Sequence, residues 1–478
     1  MLCPPDRIPS SFWQLQLSPN VMSLSSPLPD VLLNSRTNDG VKYGKELLKE
    51  FLIDDQYRNL NHGSFGTYPR AVRDAMRSFQ DQSEARPDEF IRYTYPRLLD
   101  KSREGIAKIV NAPVAEIVFV PNATTGVNTM LRSIPYEAGD YILYFSPIYG
   151  ACEKTIAFLS ETTPVKSTRV EFTFPVEDDW VVDAFKSRVQ EVAASGGRVK
   201  VALFDTVVSM PGVCFPYKQL TQACKELGVL SCIDGAHGVG NIELDLRALD
   251  ADFFTSNCHK WFHVPRGCAI LHVPNRNQHL IRSTLPTSHG FIPLTGNIAS
   301  PLPPSDEPRS AFENNFQFVG TIDNSPYLCI PEAIRWRERL GGEKAIRQYC
   351  HTLAQHGSRR IAQILGTKIM DNSSGSLTQC TMVNVLLPID LGAIKASAVK
   401  AGIEPGTVGL EVRNWLAQTM VKEHATFIQT LFAEGQWWAR LSGQVYLDMD
   451  DFEWAGKVLE QVSERANKGD WAKAKSVT

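Results

Sequence analysis

The stretch DFFTSNCHKWFHVPRG, residues 252–267, places a lysine in an unusual setting. An apolar run that is typical of a strand leads into small polar residues, and Lys260 then stands directly before Trp261 and Phe262. Lysine side chains are usually solvated. Packing against two aromatic side chains would disfavour the charged amine, which makes Lys260 a candidate Schiff-base nucleophile. The alternative is a lysine whose stem packs on the rings while its ammonium group reaches water.

The composition is that of an ordinary globular protein. The chain has 478 residues, of which 43% are hydrophobic, and a formal net charge of −3. This balance gives no reason to expect a nucleic acid or an anionic membrane as partner, and no apolar run reaches the roughly 18 residues of a membrane span. The ten cysteines include no CxxC pair. We therefore expect free thiols, a cytoplasmic location and no metal site.

Short apolar strands alternate with helices over much of the chain. Strands are predicted at residues 116–120, 141–145, 201–205, 229–234, 253–255 and 269–273, and helices at residues 71–82, 100–110, 125–132, 217–227, 332–340 and 343–365. This alternation indicates an α/β protein with a mainly parallel sheet that is covered on both faces. In such sheets the ligand binds at the carboxyl ends of the strands.

The pattern also predicts how the chain is divided, with a proline- and serine-rich surface excursion at residues 291–310. The predicted parts are a flexible leader (1–40), an N-terminal segment that packs on the small domain and the active site (41–70), a large domain (71–330), a smaller C-terminal α/β domain (331–468) and a tail (469–478).

Three loops that directly follow predicted strands carry residues suited to one cofactor. Thr124 is a natural N-cap at a helix start, where free N–H groups bind phosphate well. Asp234 ends an apolar strand, where a desolvated carboxylate needs a cationic partner, and Lys260 follows about 26 residues later. Singly, these features are also typical of a capped helix, a buried ion pair and a solvated lysine. Together they match the anion site, carboxylate and amine that pyridoxal 5′-phosphate (PLP) requires.

The motifs around these residues resemble those of class V aminotransferases and cysteine desulfurases, which are fold-type I PLP enzymes. SNCHKW (256–261) is similar to their S-x-H-K motif, and LNHGSFGTYP (60–69) to the signature of the isopenicillin N epimerase-like branch. The resemblance covers most of residues 45–465. Stretches such as NATTGVNTMLR, FQFVGTIDNSP and WWARLSGQVYLDMDDFEWAG are most similar to fungal hercynylcysteine sulfoxide lyases of ergothioneine biosynthesis and to the desulfurase-like enzymes of loline-type alkaloid pathways.

The resemblance implies a fold and a set of cofactor ligands. The large domain would hold a mainly parallel, seven-stranded sheet, beside the smaller α/β domain. Lys260 would carry PLP, Asp234 would hold its pyridine nitrogen, and His237 would face its phenolate oxygen. Tyr149 would stack on the ring unless it is a core tyrosine, and Ser209 replaces an asparagine that is frequent in relatives. The implied phosphate ligands are Ala123, Thr124, Ser256, His259 and, from the neighbouring subunit of a homodimer, Thr321.

The substrate side of the site follows from the same resemblance. Arg440 matches an arginine that forks onto the α-carboxylate of an amino-acid substrate, as planar bidentate geometry favours. Asn61 and His62 are expected to line the pocket, although His62 fits a structural role equally well.

The overall match and the stretch IYGAC (148–152) favour a C–S lyase. β-Elimination from an S-substituted cysteine or its sulfoxide would release pyruvate and ammonia, and Cys152 would meet the departing sulfur. Cys380 is expected to begin a buried strand rather than to carry a persulfide. The alternatives are a decarboxylative Mannich-type cyclase, an epimerase or aminotransferase of the same family, and a non-enzymatic binding protein. The intact Lys260, Asp234 and phosphate loop argue against the last.

Overall fold

The computed structural model describes residues 28–296, 298–303 and 309–473. Most of the predicted leader and residues 474–478 of the predicted tail lie outside the described residues. The described part of the leader contains a short helix, Asp30–Asn34. The predicted tail begins as a helix, Asp470–Lys473, because Trp471 is buried in the same apolar cluster as the core of the C-terminal domain.

Twelve strands lie in the described residues and form sheets of seven, three and two strands. In chain order they are β1 (Ile117–Val120), β2 (Asp140–Phe145), β3 (Lys166–Val170), β4 (Arg198–Asp205), β5 (Val207–Val208), β6 (Val213–Cys214), β7 (Leu230–Asp234), β8 (Phe253–Asn257), β9 (Ala269–His272), β10 (Met382–Leu386), β11 (Gln429–Ala433) and β12 (Gln436–Ser442).

The helices account for most of the remaining regular structure. In chain order the α-helices are α1 (Asp30–Asn34), α2 (Lys45–Leu48), α3 (His62–Phe65), α4 (Arg70–Ala85), α5 (Pro87–Glu89), α6 (Tyr95–Ile109), α7 (Ala123–Ser133), α8 (Gly150–Thr162), α9 (Asp178–Ala194), α10 (Tyr217–Leu227), α11 (Leu246–Leu249), α12 (Cys258–Trp261), α13 (Ala311–Gln317), α14 (Ser325–Leu328), α15 (Ile330–Arg339), α16 (Gly342–Leu365), α17 (Leu391–Ala401), α18 (Val408–His424), α19 (Met449–Asn467) and α20 (Asp470–Lys473). A π-helical segment, Phe90–Thr94, joins α5 to α6.

The large sheet has the strand order β1-β9-β8-β7-β4-β2-β3. Its strands run parallel except β9, which is antiparallel to both of its neighbours. The predicted seven-stranded, mainly parallel sheet is therefore confirmed. The strand pattern of the sequence misses β3, KSTRV, because this edge strand is largely exposed and has no apolar run.

Apolar side chains leave the large sheet alternately on its two faces, as successive residues of a strand do. Ile117 and Phe119 of β1 join one core cluster, whereas Val118 and Val120 join another. Helices α7 and α8 cover the second cluster, and α6, α9 and α10 cover the first. This arrangement leaves the carboxyl ends of the parallel strands as the open edge at which a site can form.

The C-terminal part of the chain contains the three-stranded antiparallel sheet, with β12 between β10 and β11. Apolar residues of α16, α18 and α19 cover it in a separate core. Tyr43, Leu47, Phe51 and Leu60 of the N-terminal segment are buried in the same core. Because this segment packs there, the residues that follow it, including α3, lie near the carboxyl ends of the strands of the large sheet.

The described residues contain neither a membrane-spanning helix nor a metal-binding cluster. No helix among residues 28–296, 298–303 and 309–473 is long and apolar enough to cross a bilayer. In the same ranges, no group of three or more His, Cys, Asp or Glu side chains has an arrangement that could hold a metal ion.

Candidate active site

Three adjacent strands of the large sheet end in polar residues. In the register of β4, β7 and β8, Asp205 lies beside Asp234, and Asp234 lies beside Thr255. The turn that follows β8 leads into the short helix α12, which contains Lys260. The strand ends predicted from the sequence thus meet at one edge, as expected of parallel strands.

The backbone around Lys260 is held from two sides. The ring Nε2 of His62 lies 2.6 Å from the Lys260 carbonyl oxygen, and Arg337 donates to the Trp261 carbonyl oxygen over 2.9 Å. Gly66 approaches so closely that a Cβ would lie 1.9 Å from the His259 carbonyl oxygen, and its φ of +65° also favours glycine. These contacts fix the turn on which the lysine stands.

The amine of Lys260 faces His237 and two carboxylates. Its Nζ lies 3.0 Å from Nε2 of His237. Desolvation lowers the pKa of Lys260 to about 8, although the charges of Asp234 and Asp205 act in the opposite direction. A pKa of about 8 leaves a minor but appreciable fraction of the amine neutral near pH 7, far more than an ordinary lysine has, and the neutral form is the nucleophile.

His237 is buried between this amine and the indole ring of Trp261. The Trp261 Nε1–H donates to His237 Nδ1 over 3.1 Å. Burial, together with the charges of Lys260 and Arg440, lowers the pKa of His237 well below its ordinary value. The imidazole is therefore neutral.

Asp234 is buried at the end of β7. Its Oδ1 accepts from the Ala236 N–H over 3.0 Å, and its Oδ2 accepts from the Cys152 thiol over 3.4 Å. Desolvation raises its pKa. Among the described residues it forms no ion pair, so a protonated pyridine nitrogen would supply the missing cation.

The structure places Cys152 behind this carboxylate. The side chain is fully buried on the first turn of α8, and burial raises the pKa of its thiol. Its donor hydrogen is directed at Asp234. This geometry does not support the expected encounter with a departing sulfur. Cys380, the other cysteine considered, is also fully buried and donates to the Met382 carbonyl oxygen over 3.3 Å.

The first turn of α7 is where the phosphate of the cofactor is expected to bind, and its N-cap differs from the prediction. Asn122, not Thr124, is the N-cap, and its Oδ1 accepts from the Thr125 N–H over 2.8 Å. The Ala123 N–H donates to Asn257 Oδ1 over 2.9 Å. Thr124 therefore lies within the first turn, where its N–H has no acceptor in the helix. Asn257 had no role in the sequence pattern and here fixes the helix start against β8.

The other predicted phosphate ligands differ in their surroundings. Ser256 is fully buried and its hydroxyl oxygen accepts from the Val239 N–H over 2.9 Å. His259 is half-buried, and its Nδ1 lies 3.0 Å from the Cys268 carbonyl oxygen, which can only accept. Its Nδ1 must therefore carry the hydrogen. Burial lowers the pKa of His259 to about 4, so the ring is neutral and its Nε2 is an acceptor, which cannot donate to a phosphate. Thr321 lies on an exposed loop, and the exposed fraction of Tyr149, at the start of α8, is 49%.

Arg440 occupies the middle of β12 and is almost completely buried. Its Nη1 donates to the Ser209 carbonyl oxygen over 2.5 Å, and its Nη2 lies 2.8 Å from both Asn61 Oδ1 and Ser64 Oγ. Its Nε–H is buried without an acceptor. In the described part of the chain no carboxylate forms an ion pair with this guanidinium, which is the state expected of an anion-binding arginine.

Several predicted residues thus take part through groups that the sequence does not reveal. Ser209 contributes its carbonyl oxygen to Arg440. Both ring nitrogens of His62 are engaged, by the Lys260 carbonyl oxygen and by the Tyr446 hydroxyl group 2.9 Å away, which favours the structural alternative for this residue. Ser64 was missed because a serine in a short, glycine-containing helix such as α3 has no distinctive signal.

Asp205 is a further residue that sequence reasoning missed. It is 7% exposed, and burial and the neighbouring Asp234 raise its pKa well above the ordinary value. It ends the predicted strand VALFD as Asp234 ends the predicted strand VLSCID, so the same strand-end signal was present.

These residues fit PLP. Among the described residues the buried Asp234 forms no ion pair, the Thr124 N–H in the first turn of α7 has no acceptor in the helix, and Lys260 offers an amine whose pKa is lowered to about 8. A carboxylate, an anion site at a helix start and an amine are the groups that hold this cofactor in a protein.

Comparisons with known proteins agree with this geometry. The chain is 39% identical to the L-cysteine desulfhydrase-like protein lolT1 of Epichloe uncinata over 89% of this chain and 96% of that protein. It is 29% identical to the hercynylcysteine sulfoxide lyase of Schizosaccharomyces pombe over 87% of this chain and 97% of that protein. A solved structure of the cystine C-S lyase C-DES with cysteine persulfide matches with a TM-score of 0.67 at 16% identity, over 86% of this chain and 98% of that one.

The chain also matches a family model over more than half of its length. The description of that model is "Aminotransferase class-V", and the match spans residues 66–387. It includes the first turn of α7, Asp234, His237 and Lys260. The predicted family and fold are confirmed, and the chain belongs to the class V aminotransferase family.

Proposed function

We propose that the chain is a PLP-dependent C–S lyase that cleaves an S-substituted cysteine or its sulfoxide by β-elimination. The cofactor is PLP and the chain is an enzyme of the C–S lyase and cysteine desulfurase-like type, in keeping with its family and relatives. One observation carries the proposal: the amine of Lys260 is acted on by both the buried carboxylate of Asp234 and the buried guanidinium of Arg440, which places the three groups in one site.

When bound, PLP supplies an electron sink for the carbon next to the substrate amino group. Asp234 would hold its pyridine nitrogen and favour the protonated form. Lys260 would hold the cofactor, and its amine is the base that would take the proton from the substrate Cα. Its lowered pKa suits a base that works near neutral pH.

Arg440 binds the substrate α-carboxylate, held by the Ser209 carbonyl oxygen on one side and by Asn61 and Ser64 on the other. The electron pair of the broken Cα–H bond forms the Cα=Cβ double bond. The Cβ–S bond breaks with its pair on sulfur, which takes a proton and leaves as a sulfenic acid or a thiol. One water then hydrolyses the aminoacrylate to pyruvate and ammonia.

The substrate class that we propose is a cysteine sulfoxide of the hercynylcysteine type, supported by the relative from S. pombe. The alternative from the sequence is a decarboxylative Mannich-type cyclase of loline-like pathways. The relative lolT1, at 39% identity, is named L-cysteine desulfhydrase-like, which supports chemistry at the sulfur of a cysteine instead. An epimerase or aminotransferase would use the same lysine and arginine.

The products distinguish these candidates. The purified protein with PLP is mixed with hercynylcysteine sulfoxide, simpler cysteine sulfoxides and alkaloid-precursor amino acids, and the products are identified by mass spectrometry. Pyruvate in equal amount to the sulfenic acid or thiol supports the lyase. Carbon dioxide with a bicyclic amine, and no sulfur product, would replace it with the cyclase. A racemised substrate or a keto acid that keeps its sulfur would replace it with the epimerase or aminotransferase.

We also propose a homodimer in which the Thr321 loop reaches the phosphate site of the neighbouring subunit. The exposure of this loop in a single chain supports the proposal. Thr321→Ala should then weaken PLP binding in the dimer, and an unchanged affinity would contradict a shared site. The cytoplasmic location stays a prediction.

A further inference from the structure

Three side chains form a chain of hydrogen bonds through the centre of the site. The Trp261 indole N–H donates to His237 Nδ1 over 3.1 Å, and His237 Nε2 lies 3.0 Å from Lys260 Nζ. Trp261 and His237 are buried, with exposed fractions of 2% and 1%. Lys260 and Trp261 are neighbours in the sequence, and they contact the two different ring nitrogens of the same imidazole.

The donor inventory fixes where the protons lie. An indole nitrogen can only donate, so His237 Nδ1 must be the acceptor. A neutral imidazole that accepts at Nδ1 carries its hydrogen on Nε2. That hydrogen is directed at Lys260 Nζ, which can accept it only with the lone pair of a neutral amine. An ammonium group at this distance would bring two donors together.

We propose that Trp261 is a positioning residue whose indole N–H keeps the hydrogen of His237 on Nε2 and thereby favours the neutral form of the Lys260 amine that PLP meets. The same Nε2–H is then available to the cofactor. The inference needs the cofactor and Lys260, but it does not depend on the C–S lyase reaction.

The other charged groups around the pair come from several elements. Lys260 is also acted on by Asp234 of β7, Asp205 of β4 and Arg440 of β12, and the carboxylates oppose the loss of its proton. Arg440 and His259 act with Lys260 on His237 and disfavour a second proton on the imidazole. None of these groups forms a hydrogen bond with His237 Nδ1. Among the described residues only the Trp261 indole does, so the indole selects the tautomer of His237.

Loss of the indole N–H should change the acidity of Lys260. Without it, His237 can move its hydrogen to Nδ1 and accept from the Lys260 ammonium group through Nε2, which stabilises the charged amine. The fraction of neutral amine at a given pH below the pKa then falls. A purely space-filling role for Trp261 predicts no such change.

The test follows the capture of added PLP by the apo form of the full chain, read from the visible absorption of lysine-bound PLP. In the wild type the capture rate should rise with pH and level off above the Lys260 pKa of about 8. Trp261→Phe should move the midpoint upward by about half a unit or more, which makes capture at neutral pH about threefold slower and leaves the rate at high pH unchanged.

Matched variants separate this effect from structural damage. Trp437→Phe removes another fully buried indole, whose N–H donates to the Gly409 carbonyl oxygen over 3.2 Å, and should leave the midpoint unchanged. In a His237→Ala background, Trp261→Phe should no longer move the midpoint. If Trp261→Phe does not fold, benzothienylalanine at position 261 keeps the shape, replaces N–H by sulfur and should give the same shift.

The outcomes are distinct. A Trp261→Phe midpoint equal to that of Trp437→Phe, or a rate that falls equally at every pH, would overturn the inference. Absence of pyruvate formation by the wild type would reject the proposed lyase and leave the midpoint shift, and hence this inference, in place.

Discussion

Replacement of Arg440 should abolish the preference of the enzyme for substrates with an α-carboxylate. Burial lowers the pKa of Arg440 from 12.5 to about 10. Because one pKa unit corresponds to about 1.4 kcal/mol, burial disfavours the charged guanidinium by about 3 kcal/mol. A bound carboxylate can recover this free energy, which amounts to about a 150-fold gain in binding.

The assay compares two ligands that differ only in the carboxylate. S-Methylcysteine and 2-(methylthio)ethylamine are titrated into the PLP-loaded protein, and binding is read from the visible spectrum. The wild type should bind the amino acid about 150-fold more tightly. Arg440→Met should remove the preference. Arg440→Lys keeps a charge without the planar fork and should retain about tenfold or less. Asn61→Ala removes one of the contacts that orient Arg440 and should cost about fivefold.

A matched control is Arg103→Lys. Arg103 is also a buried arginine, but it is held by Glu313, Asp100 and the carbonyl oxygens of Ile117 and Val114. Its replacement should lower stability without changing the ratio of the two affinities. If Arg440→Met still binds the amino acid about 150-fold more tightly than the amine, the carboxylate is bound elsewhere and the reasoning is refuted.

Three further predictions follow from the surroundings of the site. Cys152→Ala should keep pyruvate formation within about fivefold of the wild type, because it loses one neutral hydrogen bond. Complete loss of pyruvate formation would indicate that the thiol takes part in the reaction. Gly66→Ala should lower the free energy of unfolding by about 3 kcal/mol in a denaturant titration. Gly402 has a similar φ of +66°, but no atom lies within 4 Å of a Cβ added there, so Gly402→Ala should lower it by about 1 kcal/mol. Equal losses of stability in the two variants would contradict the close approach at Gly66. For Asp205→Asn, the difference in Tm from the wild type should become more favourable as pH rises above the ordinary pKa of an aspartate. Burial raises the folded-state pKa of Asp205, so as pH rises the unfolded chain loses this proton before the folded chain does, and the wild type is destabilised. A Tm difference between variant and wild type that becomes less favourable as pH rises would contradict a raised pKa for Asp205.

The local pattern of the sequence is sufficient for the strands of the large sheet other than β3, and for the positions of Asp234 and Lys260 at its strand ends. Asp234 and Lys260 each follow a short apolar strand, and neighbouring parallel strands bring their ends together. The first turn of α7 was also recognisable, but its sequence offers two capping residues. Asn122 takes the cap because its side chain reaches the Thr125 N–H from an extended backbone, a choice that depends on dihedral angles rather than on residue type.

The contacts that the sequence could not supply join distant parts of the chain. The direction of the Cys152 side chain depends on how α8 packs behind β7. The thiol was expected to meet the departing sulfur of the substrate, whereas in the structure it donates to Asp234. Ser64 reaches Arg440 across 376 positions, and Trp261 reaches His237 only because α12 folds back over the end of β7. The motifs therefore identify the cofactor chemistry, whereas the orientation of each side chain depends on tertiary packing.

The most direct test of the account is the formation of pyruvate from a cysteine sulfoxide by the PLP-loaded protein. The wild type should release pyruvate, ammonia and the sulfur product in equal amounts. Lys260→Ala, which removes the amine that binds PLP and takes the Cα proton, should release none. Pyruvate formation that persists in Lys260→Ala, or a wild type that yields no pyruvate from any cysteine sulfoxide or S-conjugate, would contradict the proposed C–S lyase.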